Sequence, residues 1–133
     1  MKPTILCIED NPDNMMLISR IFRPDGYFLV EAKNGMQGLE IAESRDVDLI
    51  LLDINLPDID GYEVARRLRS SAKSELGRVP IVAITANALR DDANKCLNAG
   101  CNVYMSKPID IQELMDTVEA LLPSKHEHIW LTD

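Results

Sequence analysis

At 133 residues the chain has room for one domain of ordinary size, with enough apolar sequence to bury a real core. Hydrophobic residues at 46% and charged residues at 27% suit a soluble globular protein, and no apolar stretch nears the roughly 20 residues that cross a bilayer. A net charge of −8 and a pI near 4.7 argue against a nucleic-acid surface, which needs clustered Lys and Arg.

The chain starts Met1-Lys2-Pro3-Thr4 and goes straight into a strand, Thr4–Ile8, without a signal-peptide pattern. That strand runs into Glu9-Asp10, and Met15, Ile18 and Phe22 follow at helical spacing. A second strand is expected over Tyr27–Glu31, then a helix carrying Leu39 and Ala42. The third strand, Asp48–Leu52, is mostly apolar and reads as buried on both faces. It delivers Asp53 to its carboxyl end, ahead of Ile54-Asn55-Leu56-Pro57-Asp58-Ile59-Asp60-Gly61, a segment dense in turn formers.

A helix with Val64 and Leu68 comes next, then a strand over Pro80–Ile84 that runs into Thr85. Ala93 and Leu97 mark a fourth helix, and a fifth strand, Asn102–Met105, leads through Ser106 to Lys107. The last helix is the clearest, with Ile111, Leu114, Met115, Val118, Leu121 and Leu122 on one stripe. Asp110 is its expected N-cap, with Glu113 three residues on as in a capping box. Gly26, Gly35, Gly77 and Gly100 punctuate the joints, and Pro123 stops the last helix. Residues 1–122 therefore read as one domain and 123–133 as a loose tail.

Cys7 reads as a small core residue. Cys96 and Cys101 are too far apart for a Cys-x-x-Cys motif, and the histidines, His126 and His128, lie in the tail. Ordinary reduced thiols are expected, and with them a cytoplasmic location.

Strict strand–helix alternation with short joints implies an α/β fold: a parallel sheet with helices on both faces and right-handed crossovers. Ligands of such sheets gather at the carboxyl ends of the strands. That edge would collect Glu9, Asp10, Asp53, Thr85 and Lys107, with three negative charges and one positive among them. Crowded carboxylates raise one another's pKa unless a cation relieves them. Oxygen-only ligands with room for water select Mg²⁺ or Mn²⁺ over zinc. Such a site receives a phosphate oxygen, with a hydrogen bond from Thr85 and a point charge from Lys107. Asp53, at the centre, becomes the nucleophile that forms an acyl phosphate.

Taken singly, each of these residues has a plainer role. Asp58, Asp60 and Asp110 read as turn formers or helix caps, and Glu9-Asp10 could simply open the first helix. Thr85 alone would be a strand residue and Lys107 alone a solvated charge. Their joint placement on four strand ends is what carries the site.

Those residues also carry a resemblance. Glu9-Asp10-Asn11, Asp48 to Pro57 with Asp60-Gly61, Ala83-Ile84-Thr85-Ala86, Gly100-Cys101 to Tyr104 and Lys107-Pro108 together resemble the receiver domain of two-component response regulators, over residues 4 to 122. The resemblance implies the flavodoxin-like, doubly wound five-stranded sheet in the order 2-1-3-4-5. It implies that Asp53 takes a phosphoryl group from a histidine kinase or phosphotransfer protein. It implies metal held by Asp10, Asp53 and the Asn55 backbone carbonyl, with Glu9 assisting through water. Thr85 and Lys107 would bind the phosphoryl group, and Tyr104 would be the switch aromatic, with Thr85 moving toward the new group. A downstream protein would bind around Tyr104, with Leu89, Arg90, Asn94 and Gln112 as further candidates. No nucleic acid or membrane is expected as a partner. The Lys107-Pro108 bond is expected to be cis.

Other readings fit less well. A haloacid-dehalogenase-type phosphatase, a Mg²⁺-dependent enzyme with an aspartyl nucleophile, needs a second Asp two residues on as general acid, where this chain has Asn55. A nucleotide-binding domain needs a glycine-rich loop after the first strand, and a flavodoxin a hydroxyl- and amide-rich one; Glu9-Asp10-Asn11-Pro12-Asp13 suits neither. Within the family, the start at Met1 favours a stand-alone receiver over one excised from a hybrid kinase or multidomain regulator. The complete acidic, Thr and Lys set argues against a degenerate receiver that only binds. Asn55 and Asn87 flank the site and are expected to tune water access.

Overall fold

The computed structural model describes residues 2–86 and 90–122, the side chains of 90–92 apart. Leu89, Asn87, the side chain of Arg90 and the tail 123–133 therefore lie outside the described residues. Strands β1 (Thr4–Ile8), β2 (Phe28–Ala32), β3 (Leu49–Asp53), β4 (Ile81–Thr85) and β5 (Val103–Ser106) alternate with helices α1 (Pro12–Phe22), α2 (Gly35–Ser44), α3 (Gly61–Arg69), α4 (Arg90–Ala99) and α5 (Ile111–Leu121). All four strand pairings are parallel, in the order β2-β1-β3-β4-β5. Parallel pairing is what the alternation predicts, and the order is the doubly wound one that the family resemblance implies.

Burial follows position in that order. Every residue of β3 and β4 is buried, whereas the edge strands β2 and β5 keep exposed positions. Continuous apolar runs thus mark strands covered on both faces. One face packs Leu6, Ile8, Ile50, Leu52, Ile81 and Ala83 against α2, α3 and α4, through Ala42, Val64, Ala65, Leu68, Cys96 and Ala99. The other packs Ile5, Cys7, Leu49, Leu51 and Val82 against α1 and α5, through Met15, Ile18, Phe22, Leu114 and Val118. The strand order reverses between β1 and β3, so their carboxyl ends diverge into the crevice where open α/β sheets bind ligands.

Four strands begin and end one residue later than the sequence suggests. Pro80, Asp48, Asn102 and Tyr27 precede their strands, while Asp53, Thr85, Ser106 and Ala32 finish them. Ladder bonds continue through the polar ends: Ile54 N donates to Ile84 O at 2.9 Å and Lys107 N to Thr85 O at 2.7 Å. The backbones of Asp53 and Thr85 are therefore fixed by the sheet.

Helix α4 has a different phase from the one its apolar residues suggest. It buries Cys96 and Ala99 and leaves Leu97 54% exposed. The turn at its end sets this phase: Gly100, at φ +108°, donates to Leu97 O and Cys101 N to Cys96 O. In α5, Leu114 and Val118 are buried as expected, but Ile111 at the start is 44% exposed. All three cysteines are buried and none forms a disulfide; burial holds Cys7 far above the usual thiol range and pushes Cys101 up to about 12. No described helix is long and apolar enough to cross a membrane.

Candidate active site at the carboxyl edge of the sheet

Each strand end brings one part of the site. Glu9 stays in register because its N–H donates to Ala32 O, and its side chain is buried beside the sheet. One of its oxygens accepts from Asn11 N at 3.2 Å, while Asn11 itself caps α1 by accepting from Asp13 N and Asn14 N. Asp10, the next residue, is exposed. Asp53 ends β3 with only 2% of its surface exposed, and Thr85 ends β4 buried. Lys107 follows β5, and its bond to Pro108 is cis, as expected.

These side chains converge. Oxygens of Glu9, Asp10 and Asp53 lie within 4.8 Å of one another. Lys107 Nζ stands 3.3 Å from Glu9 Oε1 and 3.4 Å from Asp53 Oδ1. One ammonium does not balance three carboxylates. Burial, then the hydrogen bond and charge of Asp53, push the Glu9 carboxyl up to about 7, against the pull of Lys107. Clustered hard oxygen donors short of positive charge fit a divalent cation of the Mg²⁺ type.

Two backbone features hold the loop after β3. Asn55 N donates to Asp53 Oδ1 at 3.0 Å, and Asn55 Oδ1 accepts from Ala86 N at 3.2 Å, bridging to the segment after β4. Gly61 begins α3 against Asp53 itself: a Cβ at that position would sit 2.6 Å from Ile54 Cα and 2.8 Å from Asp53 O. Only a residue without a side chain allows that approach.

Asp60 and Asp110 are the helix caps expected of them, accepting from Glu63 N and Glu113 N. Asp58 is also a helix cap, but of a helix on the far side of another loop. Its two oxygens accept from Gly35 N and Met36 N, both at 2.8 Å, so the loop after β3 caps the start of α2 from outside. No local motif marks it, because donors and acceptor sit on different loops.

Tyr104 pairs with Ala83 across β4–β5 and packs on the α2–α4 side of the sheet, half buried. Asn94 and Gln112 are exposed on α4 and α5. A groove of about 530 Å³ opens beside the acidic cluster, lined by Glu9 and Asp10, by Pro12, Met15 and Met16 of α1, and by Lys33.

Comparison with known proteins agrees with this geometry. Residues 5–119 match the response regulator receiver domain. The polar-differentiation response regulator DivK of Brucella anthropi is 34% identical over 122 residues, which cover 92% of this chain and 98% of that protein. Among solved structures, the receiver domain of the sensor histidine kinase PA1611 of Pseudomonas aeruginosa, with a magnesium ion coordinated in its active-site cleft, is 38% identical. Its TM-score is 0.83, over 92% of this chain and 99% of that one. The receiver domain of Ssk1, solved with the Saccharomyces cerevisiae histidine phosphotransfer protein Ypd1, is 30% identical with a TM-score of 0.82, over 89% of this chain and 87% of that one. Since a family match over most of the length coincides with the same sheet order and a convergent acidic edge, the chain belongs to the receiver domains of two-component response regulators.

Proposed function

We propose that Asp53 is the phosphoacceptor of this receiver and that a phosphohistidine on a histidine kinase or phosphotransfer protein is the donor. The observation that carries this is the setting of Asp53: a buried carboxylate on the central strand, its Oδ1 held between Lys107 Nζ and Asn55 N. In the transfer, a carboxylate oxygen of Asp53 forms a bond to phosphorus. The phosphorus–nitrogen bond of the donor breaks, and the imidazole leaves with its electron pair. Lys107 places positive charge beside the phosphoryl oxygens, and Thr85 offers its hydroxyl to them.

Asp10, Asp53 and the Asn55 carbonyl would hold Mg²⁺, or Mn²⁺, with Glu9 assisting through water. A bound ion there supplies charge that lets an anionic donor approach the carboxylates. Catalysis is confined to the chain's own phosphorylation and dephosphorylation. Residues 1–122 form the working unit, in a cytoplasmic protein, with 123–133 as a tail.

The output face is formed by α4, β5 and α5. Leu97 and Asn94 of α4 and Ile111 and Gln112 of α5 are exposed, and Tyr104 of β5 is half buried. Tyr104 shares its face of the sheet with Ala83, two residues before Thr85 on β4. A shift of Thr85 toward a phosphoryl group would open space for the ring, giving a two-state element that a downstream protein reads. A second reading, a receiver that is part of a hybrid kinase, is favoured by the likeness to the PA1611 receiver.

Incubation with acetyl phosphate and Mg²⁺ tests the proposal. One phosphoryl group per chain is expected by intact-protein mass, lost on chelation and in Asp53→Asn; equal labelling of that variant would overturn it.

A further inference from the structure

Helix α2 is gripped at both ends by side chains from the segments that flank α3. At its start, Asp58 accepts from Gly35 N and Met36 N, both at 2.8 Å. At its end, Lys73 Nζ donates to Ala42 O at 2.9 Å and to Arg45 O at 2.7 Å. A carboxylate at the N-terminus and an ammonium at the C-terminus are the charges that a helix dipole favours. The two grips are alike for the helix but not for the site.

Asp58 lies in the loop 54–60, which joins β3 to α3. That loop is fixed at its two ends, where Ile54 N donates to Ile84 O and Gly61 N to Ile54 O, both at 2.9 Å. Its middle is open to solvent, with Asn55, Pro57 and Asp58 exposed. There Asp58 holds α2, and Ile59 packs on Gly35 so closely that a Cβ would fall 2.6 Å from Ile59 Cγ1. Helix α2 is the firmer partner, because Gly35, Gly38 and Ala42 are buried and Lys73 closes its far end. Within the same loop, Asn55 N donates to Asp53 Oδ1 at 3.0 Å. The fixed donors of the helix thus act on a loop that also touches Asp53.

We infer that Asp58 is a positioning residue for the cation site: its two bonds to the start of α2 hold the β3–α3 loop, and so keep Asn55 seated against Asp53 in the arrangement that admits Mg²⁺. The positioning role rests on the reading of Asn55 and Asp53 as metal ligands; the hold of Asp58 on the loop does not. Lys73 grips the same helix at its other end, where the chain turns toward the start of β3. A cap of this kind is worth about a fivefold bias in an equilibrium, so a loop freed of it would be competent for the ion about three- to fivefold less often.

Three variants of the full chain test this: Asp58→Ala, Lys73→Met as a control for lost stability of α2, and Asp60→Asn as a control for lost charge in the loop. Asp60→Asn keeps the cap of α3, because asparagine serves there as well as aspartate. Without metal, amide exchange at Gly61, followed by NMR, should be about fivefold faster in Asp58→Ala and within about twofold of the parent in both controls. With Mg²⁺ titrated at about 0.15 M KCl, Asp58→Ala should bind about three- to fivefold more weakly, and both controls within about twofold of the parent. Equal exchange at Gly61 in parent and Asp58→Ala overturns the hold on the loop. Mg²⁺ affinity unchanged in Asp58→Ala, or weakened as much in either control, overturns the positioning role. A parent that binds no Mg²⁺ would sink the metal reading and the positioning role with it, while Gly61 exchange would still decide whether Asp58 holds the loop. Failure of acetyl phosphate to label Asp53 would sink the phosphoacceptor reading and leave both measurements standing.

Discussion

Lys107 Nζ lies 3.4 Å from Asp53 Oδ1 although a whole strand, β4, runs between the strands that carry them. Lys107 leaves β5 through a ladder bond from its N–H to Thr85 O, which holds its backbone at the carboxyl edge. The ammonium, 20% exposed, thus reaches over the end of β4 to a carboxylate that is nearly closed to solvent. That reach makes one site of three strand ends.

Glu9 should make stability depend on pH, in a direction that added Mg²⁺ changes. Its carboxyl is raised from 4.5 to about 7, so between those values the folded chain holds more proton than the unfolded one. Stability of the metal-free protein therefore falls as pH rises through that window, by at most about 3 kcal/mol. Mg²⁺ favours the ionised carboxyl and should reverse the trend, and Glu9→Gln should flatten it. Urea unfolding midpoints at about pH 5 and about pH 8, with and without Mg²⁺, check this. A metal-free protein more stable at the higher pH would contradict it.

Asp58 titrates in the opposite sense. Burial acts to raise its carboxyl, but the N–H groups of Met36, Gly35 and Ile59 outweigh it and leave it below the usual range. Its capping of α2 is present above the unfolded-state pKa and lost as pH falls. Asp58→Ala should cost about 1 kcal/mol at neutral pH. Relative to the parent, that deficit should shrink toward about pH 3 in urea titrations. A deficit constant across that range would mean that the carboxylate is not what caps the helix.

Gly61→Ala sets two effects against each other. Alanine favours a helix over glycine by about 1 kcal/mol. The new methyl, however, would meet Ile54 Cα and Asp53 O, which are backbone atoms held in the sheet edge. Overpacking of this kind costs about 1–3 kcal/mol and should win. The variant is expected to unfold at lower urea and to bind beryllofluoride more weakly. Gain of stability would show that the loop yields.

Much of the site was legible because its residues follow apolar runs. Asp53 stands out after Leu49-Ile50-Leu51-Leu52, and by the same logic Glu9 follows β1 and Thr85 ends β4. Strand ends were placed one residue early because the ladder continues through polar residues that the apolar pattern ignores. The phase of α4 was hidden because Cys96 and Ala99, its buried residues, are small, while exposed Leu97 carries the stronger apolar signal. Asp58 with Gly35 and Met36, and Asn55 with Ala86, join separate loops, and no local spacing encodes such contacts.

The most direct test of the central claim is chemical location of the phosphoryl group. After reaction with acetyl phosphate and Mg²⁺, borohydride reduces an acyl phosphate to the alcohol, which turns a modified aspartate into homoserine. Peptide mass mapping should then find homoserine at position 53 and aspartate unchanged at positions 10, 58 and 60. Homoserine at any of those positions with Asp53 intact, or phosphate that resists borohydride and stays on a hydroxyl, would contradict the account.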